Sequence, residues 1–465
     1  MITENHTPLA PDSPDISVFG YRQELKRSLK TRHLLAFGLA YINVMGVFTL
    51  YGVATVKTHG MLALAYIVAT VAMLFTALSY GKMAREFPIS GSVYTYTQRS
   101  FNSHIGFVVG WVVMLDYLIL PLLNFLLIGL YLNVLIPSVP VWVFALAALI
   151  GITLLTIRGV TESAATSTIS TILGIGFVVA FVIFLIAYLA GQGAPVFSLQ
   201  GFATAAEITN PDTGMSAVFA AAAVLCLMFL GFDGITTFSE ESVNPKRDVP
   251  RAIVLTCLVA GVVFIGVSYL MQMAWPTAWQ EIVNQDTAST EIMTRVAGPV
   301  MTFILSVIFI ASCIGSGSSG MASGARILFA MGRDGVLPSK LGTVHPKYKT
   351  PIIAILCIAV VGIASLFIDL MSVSSIINFG AITAFFFVNL SVIAHFFVRG
   401  KRRHGKDLIP YLVLPGLGAI ISVALWLSLD WMALTIGGIW TLAGVIMLAV
   451  QTKGFKKAPV TLSQE

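Results

Sequence analysis

Twelve apolar stretches, each about as long as a bilayer is thick, dominate this chain and leave it few ways to fold. A helix needs about twenty mostly apolar residues to cross roughly 30 Å of hydrocarbon. No water reaches the backbone there, so every N–H and C=O must pair within the protein, which favours helices. Read between charged or Pro/Gly-rich breaks, the stretches fall near 34–56, 61–81, 106–134, 140–157, 164–190 and 216–239, then 252–274, 299–330, 351–369, 374–398, 408–428 and 431–450. They are numbered spans 1 to 12 below. Only 10% of the 465 residues are charged and 57% are hydrophobic, whereas a soluble domain carries about 25% charged residues. Lipid has to cover such a surface, so an all-α membrane protein is expected, and no soluble domain hides in the short connections.

The charges orient the bundle. Positive residues in short loops resist translocation and accumulate on the cytoplasmic side. If the N-terminus is cytoplasmic, 25 of the 27 Lys and Arg fall on that side, from Arg22, Lys26, Arg27, Lys30 and Arg32 to Lys453, Lys456 and Lys457. Lys57 and Arg295 are the exceptions. A wrong helix count would swap sides partway and scatter the charges, so both termini are expected inside. This distribution also accounts for the net charge of +6 without a nucleic-acid partner. Residues 1–28 read as a disordered cytoplasmic tail, 29–451 as one membrane domain and 452–465 as a second cytoplasmic tail. The outer segments 191–215 and 275–298 are long enough for a small lid helix.

Cys226, Cys257, Cys313 and Cys357 all sit in apolar runs with no CxxC and no clustered His, so they read as small apolar filler rather than metal ligands or disulfides. No P-loop, HExxH or paired catalytic constellation appears, so neither an enzyme nor an ATP-driven pump is expected, and no cofactor or metal is called for. The Tyr and Trp residues show no motif, and many are expected to anchor at the lipid–water interface.

Two spans are interrupted. Span 1 reads GLAYINVMGVFTLYG from Gly38 to Gly52, with Asn43 and Gly46 in its middle, and span 6 reads FLGFDGITTFSEES from Phe229 to Ser242, with Gly231 and Gly234 flanking Asp233. A pair of Gly-interrupted spans in corresponding positions points to an inverted-repeat transporter, whose unwound backbone can hold substrate or ions. Glycine also serves plain close packing in membrane helices. The two lone acids, Asp116 and Asp233, cost at least about 2.5–3.5 kcal/mol at membrane depth and are functional candidates by default. For Asp116 the alternative is a carboxyl near an interface or held protonated. Glu240 and Glu241 lie beside the basic loop 244–251 and read as salt-bridging or gating residues. Asp369 and Asp430 read as outer helix ends. The span-8 stretch ASCIGSGSSGMASG (311–324) reads either as tight packing or as a hydroxyl-lined cation site at Ser316 or Ser319.

With these residues in hand, the chain resembles the amino acid–polyamine–organocation superfamily, and most of all its bacterial putrescine importers. The resemblance runs from about Leu29 to Gln451 and is carried by TALSYGKMAREFPISGSVYTYTQRS (76–100), MLDYLILPLLN (114–124), FLGFDGITTFSEE (229–241), FAMGRDGVLP (329–338), VHPKYKTP (344–351) and INFGAITAFFFVNLSVI (377–393). It implies a leucine-transporter-like fold. Two inverted five-helix repeats, about 34–190 and 216–398, are followed by two extra helices over 408–450. It also implies a midplane site among spans 1, 3, 6, 8 and 10, loaded by alternating access.

Asp116, Tyr117, Asn124 and Asp233 match the importer pattern. In amino-acid-carrying members the span-1 break is Gly-rich and its N–H groups hold the substrate carboxylate. Here it reads Val44-Met45-Gly46, which suits a substrate without a carboxylate. Where the importers carry an acid after the span-1 Phe, this chain has Thr49 after Phe48, and span 5 lacks the buried Lys of some proton-coupled members.

The expectation is a secondary-active importer, in the plasma membrane, of a small cationic amine or amino acid, with a putrescine-like diamine favoured. Asp233 and Asp116 would meet an ammonium group or the coupling proton, Phe232 and Tyr117 would shape the pocket, and Asn43, Gly46, Thr49 and Gly231 would line the breaks. A proton or sodium ion would be the coupling partner. The rivals are a neutral amino-acid permease or exchanger and, more distantly, a transporter-like sensor that binds without transport.

Overall fold

The computed structural model describes residues 27–202, 208–209, 214–335, 337–368, 370–429 and 431–455. Arg22, Lys26, Asp369, Asp430, Lys456, Lys457 and most of both tails lie outside the described residues. Within them the chain is helical, and the lone β-type contact is an isolated bridge between Leu29 and Ser242.

Among the described residues, ten helices are long and apolar enough to cross a membrane, and eleven if the bent pair Thr31–Phe48 and Tyr51–Lys57 counts as one span. They coincide with the expected spans 1 to 8 and 10 to 12. The ninth differs. Its α-helix covers only Ile352–Gly362 and continues as the 3-10 turn Ile363–Leu366. At the junction a Cβ on Gly362 would lie 2.8 Å from Leu149, so close packing on span 4 accompanies the change of pitch.

Several helices overrun their hydropathy limits. Span 3 is the helix Ser103–Leu135, started by the Asn102 side chain accepting from the Ile105 N–H at 2.9 Å. Span 8 belongs to the helix Ala288–Arg333, kinked at Gly298 (φ 79°) before Pro299. A further helix, Ser92–Ser100, is too polar and short to register as a span, yet its Val93, Tyr94 and Tyr96 are fully buried. Between spans 7 and 8 the segment 275–298 holds a short helix, Ala278–Glu281.

Span 1 lies inside the bundle, packed by spans 5, 7 and 8, while span 3 packs against spans 8 and 10. Spans 3 and 12 are tied by Trp111 and Trp440, stacked at 4.7 Å, each indole N–H donating to the other's backbone carbonyl at 2.8 Å.

The expected tyrosine anchors are corrected here. Tyr51, Tyr66, Tyr80, Tyr94, Tyr96, Tyr117 and Tyr131 are among the most deeply buried side chains, whereas Trp142 and Trp431 are exposed. A phenol ring fills a large interior volume, and the hydroxyls of Tyr94, Tyr117 and Tyr131 bond inside the protein, Tyr131 with Ser289 at 2.6 Å.

Candidate functional site

Both interrupted spans are broken where the glycine and asparagine patterns lead one to expect. The first helix of span 1 stops at Ile42 because Asn43 takes a left-handed backbone (φ 57°), a conformation Asn tolerates better than most residues. Its side-chain oxygen accepts from the Met45 N–H at 3.2 Å and its amide donates to Cys313 Sγ at 3.6 Å. The chain then runs as a 3-10 turn through Val44–Phe48 and resumes as Tyr51–Lys57, bent by 57°. A 3-10 stretch inside a helix often marks a hinge.

Span 6 is helical over Met215–Leu225, tightens through Cys226–Phe229, extends at Leu230 (ψ 129°) and turns at Gly231 (φ 128°) into the 3-10 segment Asp233–Glu241. A Cβ on Gly231 would sit 2.7 Å from the Ile42 backbone nitrogen, and one on Gly234 2.4 Å from the Tyr41 ring. The two breaks therefore touch.

Asp233 lies at this junction, 2% exposed. Its carboxylate accepts the Tyr117 hydroxyl at 2.6 Å on one oxygen and the Gly231 N–H at 3.1 Å on the other. Asp116 is equally buried, but its Oδ1 has no hydrogen-bond partner among the described residues. Neither acid takes part in an ion pair among the described residues.

Several of the other expected site residues gather around a separate small cavity at the breaks. A cavity of about 20 Å³, room for roughly one water molecule, is lined by Tyr41, Asn43, Gly46, Thr49, Asn124 and Ser316 among others. Ser316 donates to the Tyr41 carbonyl at 2.7 Å, and the Asn124 amide to the Leu120 carbonyl at 3.2 Å. Ser319 is buried but is not part of this wall. The structure thus brings Asn43, Gly46, Thr49, Asn124 and Ser316 together, and separately joins Asp233 to Tyr117 and Gly231, with Phe232 beside them. The span-8 glycines serve packing. Cβ atoms on Gly320 and Gly324 would lie 3.0 Å from the Tyr41 ring and 2.7 Å from the Tyr117 carbonyl.

A family model described as amino acid permease matches residues 33–460. The chain belongs to the amino acid permease family. It is similar to the low-affinity putrescine importer PlaP of Escherichia coli strain K12, at 38% identity over 94% of this chain and 96% of that relative. It is similar also to the branched-chain amino acid permease BcaP of Bacillus subtilis, at 28% identity over 94% and 95% of the two chains. The methylthioribose transporter of the same bacterium is 28% identical over 92% of this chain and 93% of its own length. Family and relatives alike point to a multi-pass membrane transporter of a small molecule rather than an enzyme.

At the basic end of this permease, Glu240 and Glu241 form ion pairs with Arg333 and Arg326 of span 8. Arg326 meets Glu241 at 2.6 Å with both side chains 5% exposed, and Arg333 grips both oxygens of Glu240 at 3.3 Å. The 3-10 winding of 233–241 turns both acids inward, away from the loop that follows them in sequence. Glu240 also accepts from the Ser90 N–H at 2.9 Å, and the Glu241 carbonyl accepts the N–H groups of Ser28 and Leu29.

Sequence reasoning missed Tyr41, Tyr80 and Phe385. Tyr41 carries the contacts that join spans 1, 6 and 8. Tyr80 of span 2 and Phe385 of span 10 surround Phe232, with centroid separations of 5.8 Å and 5.6 Å. Aromatic residues in apolar spans carry no periodic mark of function. The one available hint was the glycine pattern, since Gly231, Gly234 and Gly320 together require a large neighbour.

Proposed function

We propose that this permease is a secondary-active importer of a small cationic amine, a putrescine-like diamine first, working by alternating access. The observation that carries the reading is the pair of buried acids, Asp233 and Asp116, without an ion pair among the described residues. A buried carboxylate without a countercharge is expensive, and an ammonium group supplies that countercharge as it binds. Asp233, oriented by the Tyr117 hydroxyl and the Gly231 N–H, receives the ammonium, and Phe232 adds a ring face. Asp116 supplies a second carboxylate to the amine or carries the coupling proton.

The span-1 break offers Val44-Met45-Gly46 in place of a glycine-rich nest, which disfavours a substrate carboxylate. Likeness to a putrescine importer over nearly the whole chain supports the same cargo. If sodium is the coupling ion, the Ser316 hydroxyl and the neighbouring Tyr41 carbonyl, with Ser319 on the same helix, are the oxygens on offer. The charge distribution supports a plasma-membrane protein with both termini cytoplasmic, its spans grouped as two inverted repeats of five and a final pair.

Uptake of labelled putrescine into transporter-deficient cells tests the cargo. Uptake above an empty vector is expected, and none, with the protein present in the membrane, overturns it. Asp233→Asn should abolish uptake while leaving membrane insertion intact. Thr49, neutral at a position where the importers carry an acid, favours a second reading, a neutral amino-acid permease. Competition by a panel of amino acids separates the two.

A further inference from the structure

Three rings from three spans close around one point beside Asp233. Phe232 and Phe385 stack at 5.6 Å, and Tyr80 stands edge-on to them at 5.8 and 6.2 Å. All three are fully buried. Apolar packing explains the rings, but it does not explain the polar atoms left with them. Asp116 Oδ1 is buried without a hydrogen bond among the described residues, and the Tyr80 hydroxyl has the Ser92 side chain as its neighbour. Leaving one such group unsatisfied costs about 1–3 kcal/mol, more for a charged group, and every such group in a native fold calls for a reason.

Asp116 borders the span that carries Phe385. Span 10 approaches the Asp116 backbone so closely that a Cβ on Gly380 would lie 3.0 Å from its nitrogen, and Phe385 follows little more than one turn later. Asp116 and Asp233 both lie within electrostatic reach of the Tyr80 hydroxyl. Neither Tyr80, Asp116, Phe385 nor Asp233 lines the cavity beside Asn43, so the ring cluster and that cavity are separate surroundings.

Aromatic faces plus an unpaired carboxylate oxygen are the chemistry that receives an ammonium ion. We propose that Tyr80, Phe232, Phe385 and Asp116 form a second cation subsite, which takes the far ammonium of a linear diamine whose near ammonium lies on Asp233. The rings supply negative faces, and the Tyr80 and Asp116 oxygens accept the N–H donors. Because the rings touch one another, an entering ammonium has to part them, and a neutral or shorter chain end gains too little to do so. The subsite thus selects diamines over monoamines. This rests on the amine reading above and deepens it.

The test is binding of 1,4-diaminobutane and butylamine to the purified full chain in detergent, for wild type, Asp116→Asn, Phe385→Leu and Tyr80→Phe. Wild type should bind the diamine at least about tenfold more tightly than the monoamine, the scale of one desolvated cation–π contact with its polar partners. In Asp116→Asn and Phe385→Leu that ratio should shrink to about threefold or less, chiefly by loss of diamine affinity, with Tyr80→Phe intermediate. Size-exclusion profiles establish folding, and if Asp116→Asn aggregates, the two ring variants decide. An unchanged ratio in the folded variants, or parallel loss of both ligands, overturns the subsite. Equal binding of the two ligands by wild type overturns the subsite alone, whereas no binding of either removes the amine reading with it.

Discussion

Gly231 and Gly234 both look like ordinary membrane glycines, yet an added methyl group should act differently at each. At Gly231 the φ of 128° lies where L side chains are strained, and the nearest atom to a new Cβ is the Ile42 backbone nitrogen at 2.7 Å. Strain of about 1–3 kcal/mol adds to overpacking of about 1–3 kcal/mol, because backbone cannot step aside. Gly231→Ala should therefore cost about 2–6 kcal/mol, enough to depopulate the native break by roughly thirtyfold or more. At Gly234 the nearest atoms, at 2.4 and 2.7 Å, belong to the Tyr41 ring, so only the overpacking cost of about 1–3 kcal/mol applies. Removing that ring should relieve it.

The assay is a double-mutant cycle on thermal stability of the purified protein. Gly234→Ala and Tyr41→Ala should couple favourably, by at least about 1 kcal/mol, as contacting residues do. Gly231→Ala should remain damaging in the Tyr41→Ala background. Gly176 serves as control. It is exposed in span 5 with open space around its Cβ position, so alanine there should be neutral or stabilising by about 0.5–1 kcal/mol. Equal tolerance of alanine at positions 231 and 176 would refute the interlocking of the two breaks.

Other outcomes follow from the ends of the bundle. Arg326→Met leaves Glu241 buried without its partner and should cost about 3–5 kcal/mol, much of which a second change, Glu241→Gln, should restore; additive losses in a melting assay would count against the pair. Hydrogen bonds from Thr277 and Trp275, then from Arg295, hold the exposed Glu281 carboxyl below the ordinary glutamate range. Since the folded value is the lower one, its contribution is complete above the ordinary glutamate value and is lost only as pH falls through the depressed one. An acid-induced change in tryptophan emission should therefore shrink in Glu281→Gln, and an identical titration would remove the assignment. Reporter fusions after Lys57 should read as outside and those after Arg158 as inside, and the reverse pattern would invert the bundle.

Hydropathy made most spans legible because membrane depth imposes a length, and a length is visible in one dimension. It failed where length was not the deciding quantity. The helix Ser92–Ser100 is polar and nine residues long, and it exists because Tyr94 and Tyr96 find buried places, Tyr94 donating to Asp334 at 2.9 Å. Span 9 is apolar enough, but the contact of Gly362 with spans 3 and 4 accompanies the end of its α-helix. The site was legible as a set of residues and not as an arrangement. Asp233 and Tyr117 were both named from sequence, while their 2.6 Å bond, and the separation of the acids from Asn43 and Asn124, depend on how the spans turn about their axes. Hydropathy carries no such information for a helix that is apolar on every side.

The residue that resolves this is Tyr41, which no motif marked. Its ring bears on Gly234 and Gly320, its carbonyl takes the Ser316 hydroxyl at 2.7 Å, and it borders the cavity that holds Asn43 and Thr49. One side chain thus links span 1 to spans 6 and 8 at the level of the breaks. Gly231 lies beneath the adjoining Ile42 nitrogen, so the span-6 break cannot shift along the bundle axis without displacing the end of the span-1 helix. The two interruptions are therefore one mechanical unit. Asp233, two residues beyond Gly231 and held by its N–H, moves with that unit, so a ligand that changes the position of its carboxylate acts on both broken spans at once.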